Sequence, residues 1–290
     1  MAAYKKIKSL FLALSLLAVP AAAGDLPNGG GRVVIIGGGG NDDVVTARLV
    51  ELAGGKNARI VIIPQASGDP AGAAKDQAEQ FLRLGAGSVD WVLFPKGGAD
   101  KPEILEKFRK ANLVYMTGGD QVTLFSFVGG TKLLEEMRRI HREGGIVAGT
   151  SAGAAIMSRV MLTGDDRLAG KDEESFSAIR SSAVVTAEGF GFVPENIVMD
   201  QHFLARKRQN RLISVLLEHP GLNAGIGIDE NTALIMSPDG SCEAAGISLV
   251  SVFEKAKGEK VSEDGRGHLA ARGITLHLLK AGDKYTLPKP

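Results

Sequence analysis

Gly145-Ile146-Val147-Ala148-Gly149-Thr150-Ser151-Ala152-Gly153-Ala154-Ala155 is the stretch on which the reading of this chain turns. Ile146 to Ala148 is a short apolar run, the mark of a buried strand. The small residues from Ala152 to Met157 read as a helix start. Ser151 sits at the join, inside Gly149-x-Ser151-x-Gly153. In that pattern the serine is held on a tight, strained strand-to-helix turn, and its hydroxyl stands clear of the sheet. The free N–H groups of the helix start suit a developing oxyanion. A lone G-x-S-x-G equally describes a serine that merely caps a helix, so the rest of the chain decides.

Outward from the elbow, strand and helix signals alternate. Upstream, Arg32 to Ile36 reads as a strand buried on both faces, and Ile60 to Ile63, Val89 to Phe94 and Leu113 to Met116 read as strands. Helical patterns stand between them, at Val45-Leu49-Leu52, Asp69 to Leu82, Pro102 to Lys110 and Leu133 to Arg142. Downstream, Ile197 to Met199, Gly225 to Asp229, Thr232 to Met236, Gly246 to Phe253 and Ile274 to Leu279 read as strands, and Arg206 to Glu218 as a helix. Asp165 to Ser182 reads as a charged loop, and the tail after Leu279 as frayed. The alternation predicts an α/β fold with a mostly parallel sheet and helices on both faces. Functional loops then lie at the strand C-terminal ends. Thr117-Gly118-Gly119-Asp120-Gln121 and the Ser151 elbow both lie at such ends.

The 290 residues are 44% hydrophobic and 23% charged, with a formal net charge of +1. That balance fits an ordinary globule and gives no case for nucleic acid or an acidic membrane. Lys5, Lys6 and Lys8, the apolar Leu10 to Val19, and Pro20-Ala21-Ala22-Ala23 have the layout of a signal peptide cleaved after Ala23. Export to the periplasm or the medium is therefore expected, with residues 24–290 forming one α/β domain and a β-rich extension from about 249. Cys242 is the only cysteine, which excludes an internal disulfide, a cysteine nucleophile here and a cysteine zinc cluster. No membrane contact is expected after cleavage.

A serine hydroxyl needs a positioned base. Of the five histidines, only His202 follows a strand directly and sits among polar residues at its end. It is the expected base. A carboxylate must hold its tautomer. Asp165, Asp166, Asp172, Glu173, Glu174 and Glu188 lie between the two; Glu174 is favoured, with Glu173 and Asp172 next. Gly119 and Ala152 are the expected oxyanion N–H donors, although Gly118-Gly119 taken alone reads more simply as a helix-entry turn. Arg206, Arg208 and Arg211 follow the base, and such guanidinium forks bind carboxylates, so an acidic substrate is expected. The run Gly37 to Gly40 invites a dinucleotide reading, but no acidic residue closes the second strand, which ends Ile63-Pro64-Gln65.

Four motifs in order carry a resemblance: Thr117-Gly118-Gly119-Asp120-Gln121, Gly149-Thr150-Ser151-Ala152-Gly153-Ala154, Asp200-Gln201-His202-Phe203 and Gly227-Ile228-Asp229-Glu230-Asn231-Thr232-Ala233. Together they resemble cyanophycinase, of the serine peptidases that include the aspartyl dipeptidases. The likeness runs from Arg32 to Ser248. It implies a flavodoxin-like fold related to class I glutamine amidotransferases, and hydrolysis of cyanophycin to β-aspartyl-arginine dipeptides with no metal or organic cofactor. It also implies Ser151 as nucleophile, His202 as base, and Gln121, Asp200, Gln201, Arg206, Arg208 and Arg211 as substrate-pocket residues. The Asp-Gln-His-Phe-x-x-Arg-x-Arg-x-x-Arg pattern is met in full. Rival readings are an exported peptidase for short aspartyl or isoaspartyl peptides, and an inactive binding protein on the same fold. A homodimer is left open.

Overall fold

The computed structural model of the chain describes residues 30–40, 43–167 and 176–289. The signal-peptide reading at residues 1–23 and the acids Asp172, Glu173 and Glu174 lie outside them. In chain order the elements begin β1 (Arg32–Ile36), α1 (Asp43–Leu52), β2 (Arg59–Ile63), α2 (Pro70–Arg83), β3 (Ser88–Trp91), α3 (Pro102–Phe108), β4 (Leu113–Met116), α4 (Gln121–Val128) and α5 (Lys132–Arg142). Next come β5 (Ile146–Thr150), α6 (Ala152–Ala155), β6 (Val160–Asp166), β7 (Val184–Glu188), β8 (Ile197–Gln201) and α7 (Gln209–Glu218). The remainder is strand: β9 (Ala224–Ile228), β10 (Thr232–Met236), β11 (Ser241–Gly246), β12 (Val250–Lys255), β13 (Ser262–Glu263), β14 (Leu269–Ala270), β15 (Ile274–Leu279) and β16 (Lys284–Thr286).

The main sheet has the order β16-β11-β10-β1-β5-β4-β2-β3. From β1 to β3 every pairing is parallel. From β1 through β10 and β11 to β16 every pairing is antiparallel. This is the expected α/β class, with its β-rich C-terminal part in place. Apart from the edge strand β3, strands of the parallel half are buried on both faces, and side chains alternate between them with period two. Val33, Ile35, Val61 and Ile63 face a core that takes in α3, α4 and α5. Val34, Ile36, Ile60 and Ile62 face α1 and α2. Helix starts are fixed by side-chain caps. Asp69 accepts from the Gly72 N–H at 3.0 Å, and Asp120 from the Thr123 N–H at 2.6 Å.

Most strands after the elbow do not join the main sheet. β8 pairs in parallel with β9, within a second sheet of order β15-β12-β9-β8. Ile197, Met199, Ile226 and Ile228 from this sheet complete the core on the α3–α5 side. Its far side packs on α7 through Val198, Leu212, Leu216 and Phe253. The stretch read as one strand from Gly246 to Phe253 is two strands in two sheets. Gly246 ends β11 at φ 112°, a backbone state that breaks regular pairing, and β12 begins at Val250. The tail is not frayed. β16 pairs with β11, and the side-chain amides of Asn196 and Asn223 hold the Pro288 and Lys289 carbonyls.

Candidate active site

β5 delivers Ser151 to a turn that only small neighbours permit. A Cβ on Gly149 would overlap the Gly153 carbonyl, and one on Gly153 the Met116 carbonyl. Ser151 itself has φ 52° and ψ −109°, a strained conformation for an L-residue. Its N–H donates to the Ile36 carbonyl at 3.0 Å, so β1 holds the elbow.

β8 delivers His202. Its Nε2 lies 2.9 Å from the Ser151 hydroxyl oxygen. Its Nδ1 lies 2.6 Å from Oε1 of Glu230, in the turn between β9 and β10. With the imidazole neutral, Nδ1–H donates to the carboxylate and Nε2 accepts from the serine hydroxyl. Burial lowers the pKa of His202 below the ordinary histidine value. Glu230 opposes that shift, while Arg206 and Arg208 add to it. The ring is therefore neutral at neutral pH, the state a general base needs.

The carboxylate at His202 is thus Glu230, which lies beyond the expected acids of residues 165–188. Glu174 lies outside the described residues, and the Nδ1 position it was expected to fill is taken. The same strand-end signal that singled out His202 was present at Glu230, two residues past Ile228. It counts because β8 and β9 pair in parallel with Gln201 opposite Ile228, which brings the residues after each strand side by side.

The glycine run after β1 serves this arrangement. The Gly37 carbonyl accepts the His202 N–H at 2.7 Å, and the Gly38 carbonyl accepts the Asn231 N–H at 2.7 Å. Gly38 has φ 93°, and a Cβ there would overlap the imidazole of His202. The loop is a cradle for the base, which accounts for its glycines without a dinucleotide.

Gly118 packs on the nucleophile: a Cβ there would lie 3.2 Å from the Ser151 Cβ. Gly119 has φ 134°, and a Cβ on it would overlap the Ala66 carbonyl. That carbonyl also accepts the Asp120 N–H at 2.8 Å. The β2–α2 loop therefore fixes the turn next to Ser151. Ala152, on the other side of the serine, opens α6, where backbone N–H groups have no intrahelical acceptor.

The expected pocket residues divide. Arg206 is exposed, with Nε 3.9 Å from Glu230 Oε1. Arg208 is half-buried and donates to the Gln201 carbonyl at 2.7 Å and to the Gln201 side-chain oxygen at 2.9 Å. Burial, with repulsion from Arg211 and Arg206, pulls its pKa down to about 10, so it stays cationic at neutral pH. Asp200 and Arg211 pair with each other. Their side chains are 1% and 3% exposed, and Arg211 Nε donates to Asp200 Oδ2 at 2.7 Å alongside a second contact from Nη2 to Oδ1. Sealed and mutually satisfied, they shape the floor beneath the site. Gln121 is also buried; its amide nitrogen donates to the Leu162 and Thr163 carbonyls, both at 2.7 Å, tying α4 to β6.

An apolar cavity of about 420 Å³ lies elsewhere on the same edge of the sheet, against Gln65, Leu93 and Phe127. It holds no titratable group, so the chemistry belongs to the triad. A serine, a neutral imidazole and a carboxylate in line on an α/β elbow define a serine hydrolase.

Comparison with known proteins narrows the class. The sequence model described as Peptidase family S51 matches residues 33–242. The chain is 35% identical over 251 residues to the cyanophycinase of Geminocystis herdmanii, covering 83% of this chain and 87% of that protein. It is 33% identical over 243 residues to the cyanophycinase of Synechococcus elongatus, covering 81% and 71%. Among solved structures, a peptidase from an acI-B1 Actinobacterium superposes with a TM-score of 0.65 at 26% identity, covering 89% of this chain and 97% of its own. A putative peptidase E protein from Listeria monocytogenes shares the fold at a TM-score of 0.53 and 16% identity, covering 76% and 100%. The chain belongs to peptidase family S51 and is a serine-type peptidase.

Proposed function

We propose that this peptidase hydrolyses cyanophycin to β-aspartyl-arginine dipeptides through an acyl-enzyme on Ser151. One observation carries the reading. A serine hydroxyl 2.9 Å from a neutral imidazole is flanked, within six residues of that imidazole, by the cations Arg206 and Arg208. The likeness to two cyanophycinases over most of the chain supports the choice of polymer.

Arg206 and Arg208 dock substrate carboxylates at the rim. The Ser151 hydroxyl passes its proton to His202 Nε2 as its oxygen bonds to the scissile carbonyl carbon. Nδ1–H stays on the imidazolium and its hydrogen bond to Glu230 strengthens. N–H groups at Gly119 and Ala152 receive the oxyanion. His202 then protonates the leaving amine, and the carbon–nitrogen bond breaks. Water gives a proton to the same nitrogen, attacks the ester, and releases Ser151 with its proton restored.

Purified enzyme is incubated with cyanophycin and the product identified by mass. A β-aspartyl-arginine dipeptide is expected. Short aspartyl or isoaspartyl peptides cleaved in preference would move the assignment to the rival peptidase. Ser151→Ala is expected to lose about 10³-fold or more in kcat. Retention of wild-type rate by that variant contradicts the mechanism.

Export completes the proposal. The basic, apolar and small-residue segments of residues 1–23 support it. Sequencing the N-terminus of the protein recovered outside the cytoplasm tests it: a chain starting at Gly24 is expected, and a cytoplasmic chain that keeps Met1 to Ala23 contradicts it.

A further inference from the structure

Asp229 has no part in the mechanism above, yet several groups converge on it. Its side chain is buried, with the residue 7% exposed. Oδ1 accepts the N–H of Leu204 at 3.1 Å and of Ala205 at 2.9 Å. Oδ2 accepts the Ser248 hydroxyl at 2.7 Å. Its own N–H donates to the Leu249 carbonyl at 3.2 Å. Burial alone would push this carboxyl up; bonds from Ser248, Ala205, Glu230 and Leu204 outweigh it and hold the group below the usual aspartate value. It is a fixed, ionised acceptor.

What it grips is the turn between the base and the arginine rim. His202 has φ 47° and Lys207 φ 51°, both in the left-handed region that L-residues populate reluctantly. The turn bonds internally: Arg206 N–H to the His202 carbonyl at 3.0 Å, Lys207 N–H to Leu204 at 3.1 Å, Arg208 N–H to Phe203 at 2.9 Å. Such a turn needs outside support to stay in one conformation. Leu204 and Ala205, at its crest, have their N–H groups bonded to Asp229. The next residue in the chain is Glu230, the partner of His202 Nδ1. One backbone segment therefore carries the acid and, through Asp229, the base's own loop.

We propose that Asp229 is the positioning residue of this site. Its carboxylate clamps the turn of residues 203–206, and so holds His202 and Arg206 at a fixed distance from Glu230 and Ser151. Ser248, at the entry to β12, braces the clamp from the C-terminal sheet. The inference rests on the serine-peptidase chemistry, not on the identity of the polymer. Displacing a reacting group by about 1 Å costs on the order of 10²-fold in rate, which is the lever such a clamp controls.

Asp229→Asn and Ser248→Ala test it. The first keeps the shape and replaces a charged acceptor by a neutral one; the second removes only the brace. The readout is the second-order rate at which diisopropyl fluorophosphate labels Ser151, measured across the pH range in which histidine titrates. The final extent of labelling counts the sites able to react. Asp229→Asn is expected to label about 10- to 100-fold more slowly per reactive site. Its acid limb is expected to move to higher pH, because a loosened imidazole is better hydrated and regains its ordinary basicity. Ser248→Ala is expected to shift both in the same sense by less. A residue serving stability alone would lower the extent of labelling and leave the rate per site and the limb unchanged. That result in both variants overturns the proposal. If Asp229→Asn yields no folded protein, Ser248→Ala decides alone. Wild-type enzyme that is labelled but leaves cyanophycin intact would sink the proposed substrate while leaving this inference standing.

Discussion

Two acid–base pairs leave the same short stretch of chain, and they behave oppositely. Asp200 and His202 are two residues apart at the end of β8. Asp200 turns inward to Arg211 of α7, both side chains nearly sealed from water at 1% and 3% exposure. His202 turns to the sheet edge, meeting Glu230, whose side chain is 33% exposed. Read as sequence, Asp200 to Arg211 is one functional set. Read as packing, the strand end splits it: β8 stops at Gln201, and His202 at φ 47° turns the chain out of the strand direction. The inner pair satisfies itself and carries the floor. The outer pair keeps an imidazole nitrogen for Ser151.

The inner pair should matter most to stability. Arg211→Ala leaves Asp200 buried with its charge uncompensated, and unfolding in urea is expected to show a loss of about 3–5 kcal/mol. Replacing both residues by leucine is expected to recover much of that loss, because no orphan charge remains. A stable Arg211→Ala enzyme with a raised KM would erase the contrast and return Arg211 to the ligand.

The outer pair should matter to rate. Gly38→Ala places a Cβ where the imidazole lies, at a φ that alanine avoids. kcat is expected to fall about 10²-fold. An alanine variant with wild-type kcat would mean that His202 does not need the cradle. The smallest effect lies in pH. Because burial lowers the pKa of His202, the active neutral form persists below pH about 6.5, the ordinary histidine value. The acid limb of kcat/KM is expected below that value. A limb above it would mean that Glu230, which raises the pKa, outweighs burial.

Ser151 and His202 were legible because each stands at the end of an apolar run, and a strand end is a local signal. The parallel half of the main sheet was legible for the same reason. What escaped was long-range. Glu230 is 28 residues past its histidine, and nothing local ties it to Nδ1; the pairing of β8 with β9 does. Gly37 to Gly40 had no local explanation once a dinucleotide was set aside, because the ring it cradles arrives from far along the chain. The burial of Asp200 and Arg211 depends on α7 packing beneath the second sheet. β16 was read as a frayed end because Lys284-Tyr285-Thr286 is too short to show a period, and only its pairing with β11 makes it a strand.

The central claim is that Glu230 is the acid of the triad, and Glu230→Gln tests it most directly. The variant keeps the shape and can still meet Nδ1, but it cannot stabilise the imidazolium. The measurement is kcat on the hydrolysed substrate, beside variants that neutralise Asp172, Glu173 and Glu174 together. The account predicts a fall of about 10³-fold or more in kcat for Glu230→Gln, with the loop variants near wild type. Wild-type turnover by Glu230→Gln, with loss of activity in the loop variants, would contradict it.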